Sequence, residues 1–135
     1  MLTIAPPNGC LTELSFAKAP AVCGTGFHEV APRKSDYALA SAAAQINFAT
    51  GSGVTSIHLG IGSVGDFPER LDVDQLCGTP LDDAAIADAV HAAMQMVETV
   101  EDLHATAAYR KRVATELAIR ALRDARDEIS KDLNQ

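Results

Sequence analysis

Apolar and polar residues alternate along the front half of the chain and recur at helical spacing along the back half. Leu11 to Phe16 (Leu, Thr, Glu, Leu, Ser, Phe) predicts a short strand closed by Ala19-Pro20. Thr25 to Val30 predicts a second, entered through Gly24 and Gly26, after which Pro32 and the polar group Arg33-Lys34-Ser35-Asp36 force a loop. The run from Tyr37 to Phe48 is rich in alanine and so has helical propensity. Yet Gln45-Ile46-Asn47-Phe48 alternates strictly, and Ala49-Thr50-Gly51-Ser52-Gly53 is a turn signal before a further strand over Val54 to Ile61. Two such runs around a glycine-rich turn predict a β-hairpin, with strand pairing overriding propensity and the small alanines lying under packed helices.

Helical signals follow. A short helix is predicted from Glu69 to Leu76, and a second opens at Asp82-Asp83, where carboxylates suit the N-cap and the positive end of the helix dipole. Its apolar stripe is Ile86, Val90, Ala93, Met94 and Val97. A third, long helix is predicted from near Ala105, with Tyr109, Val113, Leu117 and Ala121 on one face, widened by Ile119 and Leu122. The sum is an α+β fold, an antiparallel sheet of three or four strands packed on about three helices. It reads as a single domain over residues 1–135, with flexible ends at 1–10 and 130–135. Met1 and the polar tail from Ser130 to Gln135 fit an independent gene product somewhat better than a fragment of a longer protein, and both readings stand.

Composition sharpens this picture. A chain of 135 residues with 47% hydrophobic side chains can bury one core unaided, but aromatics are only 4% and Trp is absent, so that core must be aliphatic and rich in alanine. Alanine at such density implies close backbone approach. The net charge of −7 argues against nucleic acid as a partner, and the basic cluster Arg110-Lys111-Arg112 reads as a solvated helical face. No apolar run approaches the ~18 residues of a membrane span, and the N-terminus lacks the form of a signal peptide, so a cytoplasmic location is expected. The three cysteines, Cys10, Cys23 and Cys77, have no metal-ligand spacing and are expected as reduced thiols, although a Cys10–Cys23 bridge is geometrically conceivable.

No self-sufficient catalytic motif is present: there is no HExxH, no P-loop, no GxSxG and no metal-spaced Cys/His cluster. Gly60-Ile61-Gly62-Ser63-Val64-Gly65 follows a strand, but its spacing suits a tight turn better than a phosphate cradle. The weak catalytic candidates are Asp36, His58 and His104, and no metal is expected. His28 and His58 fit surface or satisfied core positions as readily as ligand roles. His91 fits the rim of a helix, and His104, following Asp102, a capping segment. Tyr109 and Arg110 suit anchoring of the last helix against the sheet.

The series Gly26-Phe27-His28-Glu29-Val30-Ala31, Arg33 and Asp36-Tyr37-Ala38-Leu39 resembles the opening of the C-terminal domain of the flavin-binding medium subunit of molybdenum hydroxylases, the carbon monoxide dehydrogenase flavoprotein family. Gly60-Ile61-Gly62-Ser63-Val64, Pro68-Glu69-Arg70, Leu76-Cys77-Gly78-Thr79-Pro80-Leu81, Asp102-Leu103-His104-Ala105 and Tyr109-Arg110 follow in the family's order, so the resemblance covers roughly residues 11 to 128. It implies a subunit that passes electrons from iron–sulfur clusters to a flavin, beside a partner carrying the molybdenum cofactor. The flavin of such subunits sits mainly in an N-terminal domain with glycine-rich pyrophosphate loops, which this chain lacks. What carries over is the loop with Arg33, Asp36, Tyr37 and Leu39, which the resemblance places beside the flavin ring. Pro32 stands where relatives often carry a basic residue.

These readings imply no cofactor on this chain alone, and FAD only where a separate flavin-binding domain supplies the pyrophosphate site. Two functions remain open. The first is an accessory or split subunit of an oxidoreductase complex, partnered by a flavin or molybdopterin subunit and not a redox enzyme alone. The second is a repurposed small enzyme or binding protein for a planar organic molecule, a hydrolase, isomerase or cyclase, whose pocket would use Arg33, Asp36, Tyr37, His58 and the Gly60–Gly65 turn. Arg33 and Asp36 fit an exposed loop ion pair equally well. The surface left bare without a flavin domain predicts a homo-oligomer, most simply a dimer.

Overall fold

The structure, a computed structural model, describes residues 8–16 and 18–133. Four strands, β1 (Cys23–Val30), β2 (Ala40–Ala49), β3 (Gly53–Gly62) and β4 (Glu69–Leu71), form one antiparallel sheet in the order β1-β2-β3-β4. Two α-helices, α1 (Asp83–Gln95) and α2 (Ala107–Asp132), complete the α+β fold. The alanine-rich run is a strand, as its terminal alternation predicted. Ala40, Ala42, Ala44 and Ile46 of β2 are buried on one face beside Ile57, Leu59 and Ile61 of β3. The facing surface of α2 is equally slim, with Ala114, Ala118, Ala121 and Ala125 all fully buried.

That slimness lets α2 lie almost against the backbone of the sheet. At Gly24 and Gly26 an added Cβ would collide with the main chain of Ala125 and Ala121 respectively. These glycines, read above as an entry to a strand, are the seats of α2 on the sheet. The core is completed by Ile86, Val90 and Met94 of α1. That helix starts as its sequence predicts, with the Asp82 carboxylate accepting from the Ala85 amide at 2.8 Å.

Two predicted elements differ. Leu11 to Phe16 is not a strand; its apolar side chains are exposed, and with no adjacent strand to pair with the alternation has nothing to bury. Glu69 to Leu76 is not a helix. Glu69–Leu71 pairs with β3, Leu71 opposite Leu59, and only a single 3-10 turn follows over Asp74–Leu76. Ladder hydrogen bonds and the burial of Leu71, Val73 and Leu76 outweigh the helical reading there. Among the described residues there are therefore two α-helices. The last helix begins at Ala107, capped by Thr106, two residues beyond the expected start. The flexible ends expected over 1–10 and 130–135 lie partly outside the described residues, and α2 itself continues to Asp132. Cys10, Cys23 and Cys77 are free thiols.

Among the described residues the helices cover only one face of the sheet. The other face carries the rows Thr25, Gln45, His58 and Phe27, Ala43, Gly60, Arg70 across the strands. Phe27 is 63% exposed there, and Ala43 and His58 are also exposed.

Candidate functional site

Three segments meet where β1 and β3 end and β2 and β4 begin: the loop 31–39, the loop 63–68 and the stretch 96–106 ahead of α2. The Val100 amide donates to the Val64 carbonyl at 2.9 Å, tying the last two together. Arg110, in the first turn of α2, is buried and binds all three. Its Nη1 donates to the carbonyls of Leu39 and Ser63, both at 2.7 Å, and its Nη2 to Asp102 Oδ2 at 2.7 Å. The other oxygen of Asp102 accepts the amides of His104 at 2.9 Å and Ala105 at 3.0 Å, which shapes the turn into α2. The anchoring role expected for Arg110 is thus the one it has, and the solvated face expected for Arg110-Lys111-Arg112 holds only at Arg112, since Arg110 is buried and the half-buried Lys111 donates to the Val97 carbonyl at 3.0 Å. Its pairing with Asp102 across a helix start, eight residues away, carries no sequence motif beyond an Asp that fits a capping segment.

The hydrogen bond from Arg110, followed by the His104 amide, lowers the Asp102 carboxyl from 3.8 to about 2. A depressed carboxylate pKa stabilises the fold fully above its ordinary value, and that contribution is lost as pH falls through the folded value. Acid unfolding of the wild type should therefore steepen between pH 3.8 and about 2, and Asp102→Asn should flatten that limb. Unfolding midpoints measured across this window check it; superimposable acid limbs would contradict it.

The residues proposed for the flavin-facing loop lie at this same end. Asp36 donates its amide to the Arg33 carbonyl at 3.2 Å, and its carboxylate accepts the Tyr37 amide at 2.8 Å. Arg33 and Asp36 form no ion pair among the described residues. Tyr37 projects into solvent, 93% exposed. Leu39 donates its amide to Val30 at 2.7 Å and lends its carbonyl to Arg110. A shallow groove of about 430 Å³ opens beside it, lined by Leu39, Asp102, His104 and Tyr109 among others.

The structure therefore brings Leu39 and His104 together and leaves His58 apart. His58 sits on the helix-free face, four residues from the end of β3, or about 13 Å along the strand. His28 lies on the other face, its ring 2.8 Å from Asp124 of α2, and His91 bonds the Ala87 carbonyl of its own helix at 2.7 Å. A second groove, about 290 Å³, lies at the opposite end between the β2–β3 turn and the end of α2, and contains none of the candidates. Among the described residues no group of His, Cys, Asp and Glu could hold a metal ion, and no helix is long and apolar enough to cross a membrane.

Comparison with known proteins places this geometry. The fold matches a carbon monoxide dehydrogenase from Hydrogenophaga pseudoflava lacking the Mo-pyranopterin moiety, with a TM-score of 0.72 at 24% identity over 81% of this chain and 38% of that one. A reconstituted CO dehydrogenase from Oligotropha carboxidovorans matches at 26% identity, TM-score 0.71, over 81% and 38% of the two chains. Quinoline 2-oxidoreductase from Pseudomonas putida 86 matches at 26% identity and the same TM-score, over 82% and 39%. This chain thus spans less than two fifths of the length of each of these structures. No curated protein sequence matches it. The sequence model of the CO dehydrogenase flavoprotein C-terminal domain matches residues 25–125, from β1 to near the end of α2, and the chain belongs to that family.

Proposed function

We propose that this chain acts as the C-terminal module of an oxidoreductase flavin subunit, docking onto a flavin-binding domain that lies outside its 135 residues. The observation that carries this reading is the one-sided sheet. Helices bury one face, while the other presents the small residues Ala43 and Gly60 beside an exposed Phe27. A flat surface of this kind suits burial against another domain. Next to it, the loop with Arg33, Asp36, Tyr37 and Leu39 would meet the flavin ring, with Tyr37 free to lie on a planar group. In this reading the chain's role is to close and position a site in a cytoplasmic complex with flavin and molybdopterin subunits. Self-association belongs to the same reading, at the edge of β1 and not at the bare surface from which the sequence predicted it.

The test mixes the purified chain with an FAD-loaded flavin-binding domain of a molybdenum hydroxylase and follows co-elution and flavin fluorescence. Ala43→Arg, at an exposed position on the bare face, should weaken the complex by about tenfold or more while leaving the melting temperature near that of the wild type. Tyr37→Ala should change the flavin fluorescence of the complex. Equal binding by wild type and Ala43→Arg would reject the proposed surface. A planar organic molecule is the alternative occupant, favoured by the same strip of small residues. A thermal-shift screen with flavins, purines and other heterocycles distinguishes it, since a ligand of the folded state raises the melting temperature without any second domain.

A further inference from the structure

The outer edge of β1 is half closed and half open, and the boundary is sharp. β1 stands at the end of the sheet. The carbonyls of Val22 and Val30 accept amides from Phe48 at 3.1 Å and Leu39 at 2.7 Å, so the even-numbered residues direct their backbone groups towards β2. In an antiparallel ladder the alternate residues, Thr25, Phe27 and Glu29, direct theirs outwards. Thr25 shows this directly. Its amide donates to Glu128 Oε2 at 2.6 Å, and its hydroxyl donates to the same oxygen at 3.0 Å. Glu128 thereby caps the edge at Thr25. Among the described residues the outward amides and carbonyls of Phe27 and Glu29 have no partner, and both residues are exposed.

We infer that this open segment pairs antiparallel with the same segment of a second copy of the chain, about a twofold axis at His28. In that register Phe27 lies opposite Glu29 of the other copy and exchanges both backbone hydrogen bonds with it, and the symmetry repeats the exchange. An axis at Phe27 would instead require the Thr25 amide, which Glu128 already holds. Of these two axes, the free groups select the one at His28.

Charge on α2 supports a second copy as the occupant. Asp124 and Glu128 reach β1 from α2, at His28 and Thr25, so this stripe of the helix flanks the strand edge. Arg120, one turn earlier on the same stripe, is exposed and has no ion pair among the described residues. Across the twofold axis the two helices run antiparallel. Because Asp124 lies level with His28, Arg120 of each copy comes opposite Glu128 of the other, flanking the two Asp124 carboxylates at the axis, each of which is held by its own His28. The pairing is isologous, as a twofold interface requires.

Light scattering after size exclusion should give twice the chain mass of 14.2 kDa, dissociating on dilution. Glu29→Pro is the decisive variant. Its missing amide is one that points outwards, so the ladder to β2 is untouched while the seam loses its donor. It should be monomeric with an unchanged far-UV circular dichroism spectrum. Arg120→Glu, on an exposed helix surface, should weaken the dimer by about tenfold and decides the matter if Glu29→Pro perturbs folding. A wild type that stays monomeric throughout the dilution series overturns the inference. So does a dimer that neither Glu29→Pro nor Arg120→Glu weakens. Ala43→Arg, on the sheet face, should leave the dimer intact, which separates this surface from the one proposed for the flavin domain.

Discussion

A Gly26→Ala variant is expected to lose on the order of 3 kcal/mol of stability, with a fall in Tm of roughly 10 °C. The new methyl would sit on the helix side of β1, against the Ala121 carbonyl oxygen, with the Ala121 carbonyl carbon at 2.8 Å and Cα at 2.9 Å. All three are main-chain atoms, so no change of rotamer can relieve the contact. Either β1 bends away or α2 lifts, and lifting α2 pulls Ala114, Ala118 and Leu122 from the sheet they cover. Gly24→Ala should behave alike, since its methyl would meet the Ala125 carbonyl carbon at 2.8 Å and Ile129 Cγ1 at 2.9 Å. Gly60→Ala is the control: its Cβ would find only the Glu69 carbonyl oxygen, at an ordinary 3.7 Å. Urea and thermal unfolding followed by circular dichroism measure all three. A Gly26→Ala protein as stable as Gly60→Ala would show that α2 does not seat on β1 as described.

The close approach behind that expectation was half legible in the sequence. Alanine density announces slim packing, and the hairpin of β2 and β3 follows from alternation around a glycine-rich turn. Which glycines accept the helix was not legible, because Gly24 and Gly26 look the same locally whether they start a strand or receive a helix from a hundred residues away. Glu69–Leu71 was misread for a related reason. Three residues are too short for a period, and only the partner strand, through the pairing of Leu59 with Leu71, makes them extended. Leu11 to Phe16 shows the converse, an alternating run to which the fold supplies no partner.

The candidate site divides along the same line. The loop from Arg33 to Leu39 stood out as an ordered set of motifs, and its position at one end of the sheet follows from Pro32 and the polar run that breaks the chain. His58 could be assigned to a strand, but its distance from that loop depends on register, which local pattern does not carry. The sheet edge at Phe27 and Glu29 depends on strand order as well as on a carboxylate about a hundred residues downstream. Arg110 was recognisable as an anchor, while what it anchors was not.

That anchor gives the second large effect. Arg110→Met should cost on the order of 3 kcal/mol, because the buried guanidinium is the donor that joins otherwise separate loops. Methionine keeps much of the apolar stem but leaves the carbonyls of Leu39 and Ser63 without their donor. One term acts in the opposite direction: Arg110 Nε is buried without an acceptor among the described residues, and methionine removes that cost. Three charge-assisted contacts at 2.7 Å outweigh one unsatisfied N–H, so the net effect remains destabilising. Arg110→Lys should fall between wild type and methionine, since an ammonium keeps the charge but not the planar fork that reaches Leu39, Ser63 and Asp102 together. Hydrogen exchange supplies the local readout. In Arg110→Met the amides of His104 and Ala105 should exchange faster than those at the centre of β2, because they depend on an Asp102 carboxylate that has lost its cation. Pairing Arg110→Met with Asp102→Asn should cost less than the two changes summed, as expected for partners in one network. Strict additivity would mean that the ion pair contributes nothing and that the backbone carbonyls alone hold Arg110 in place.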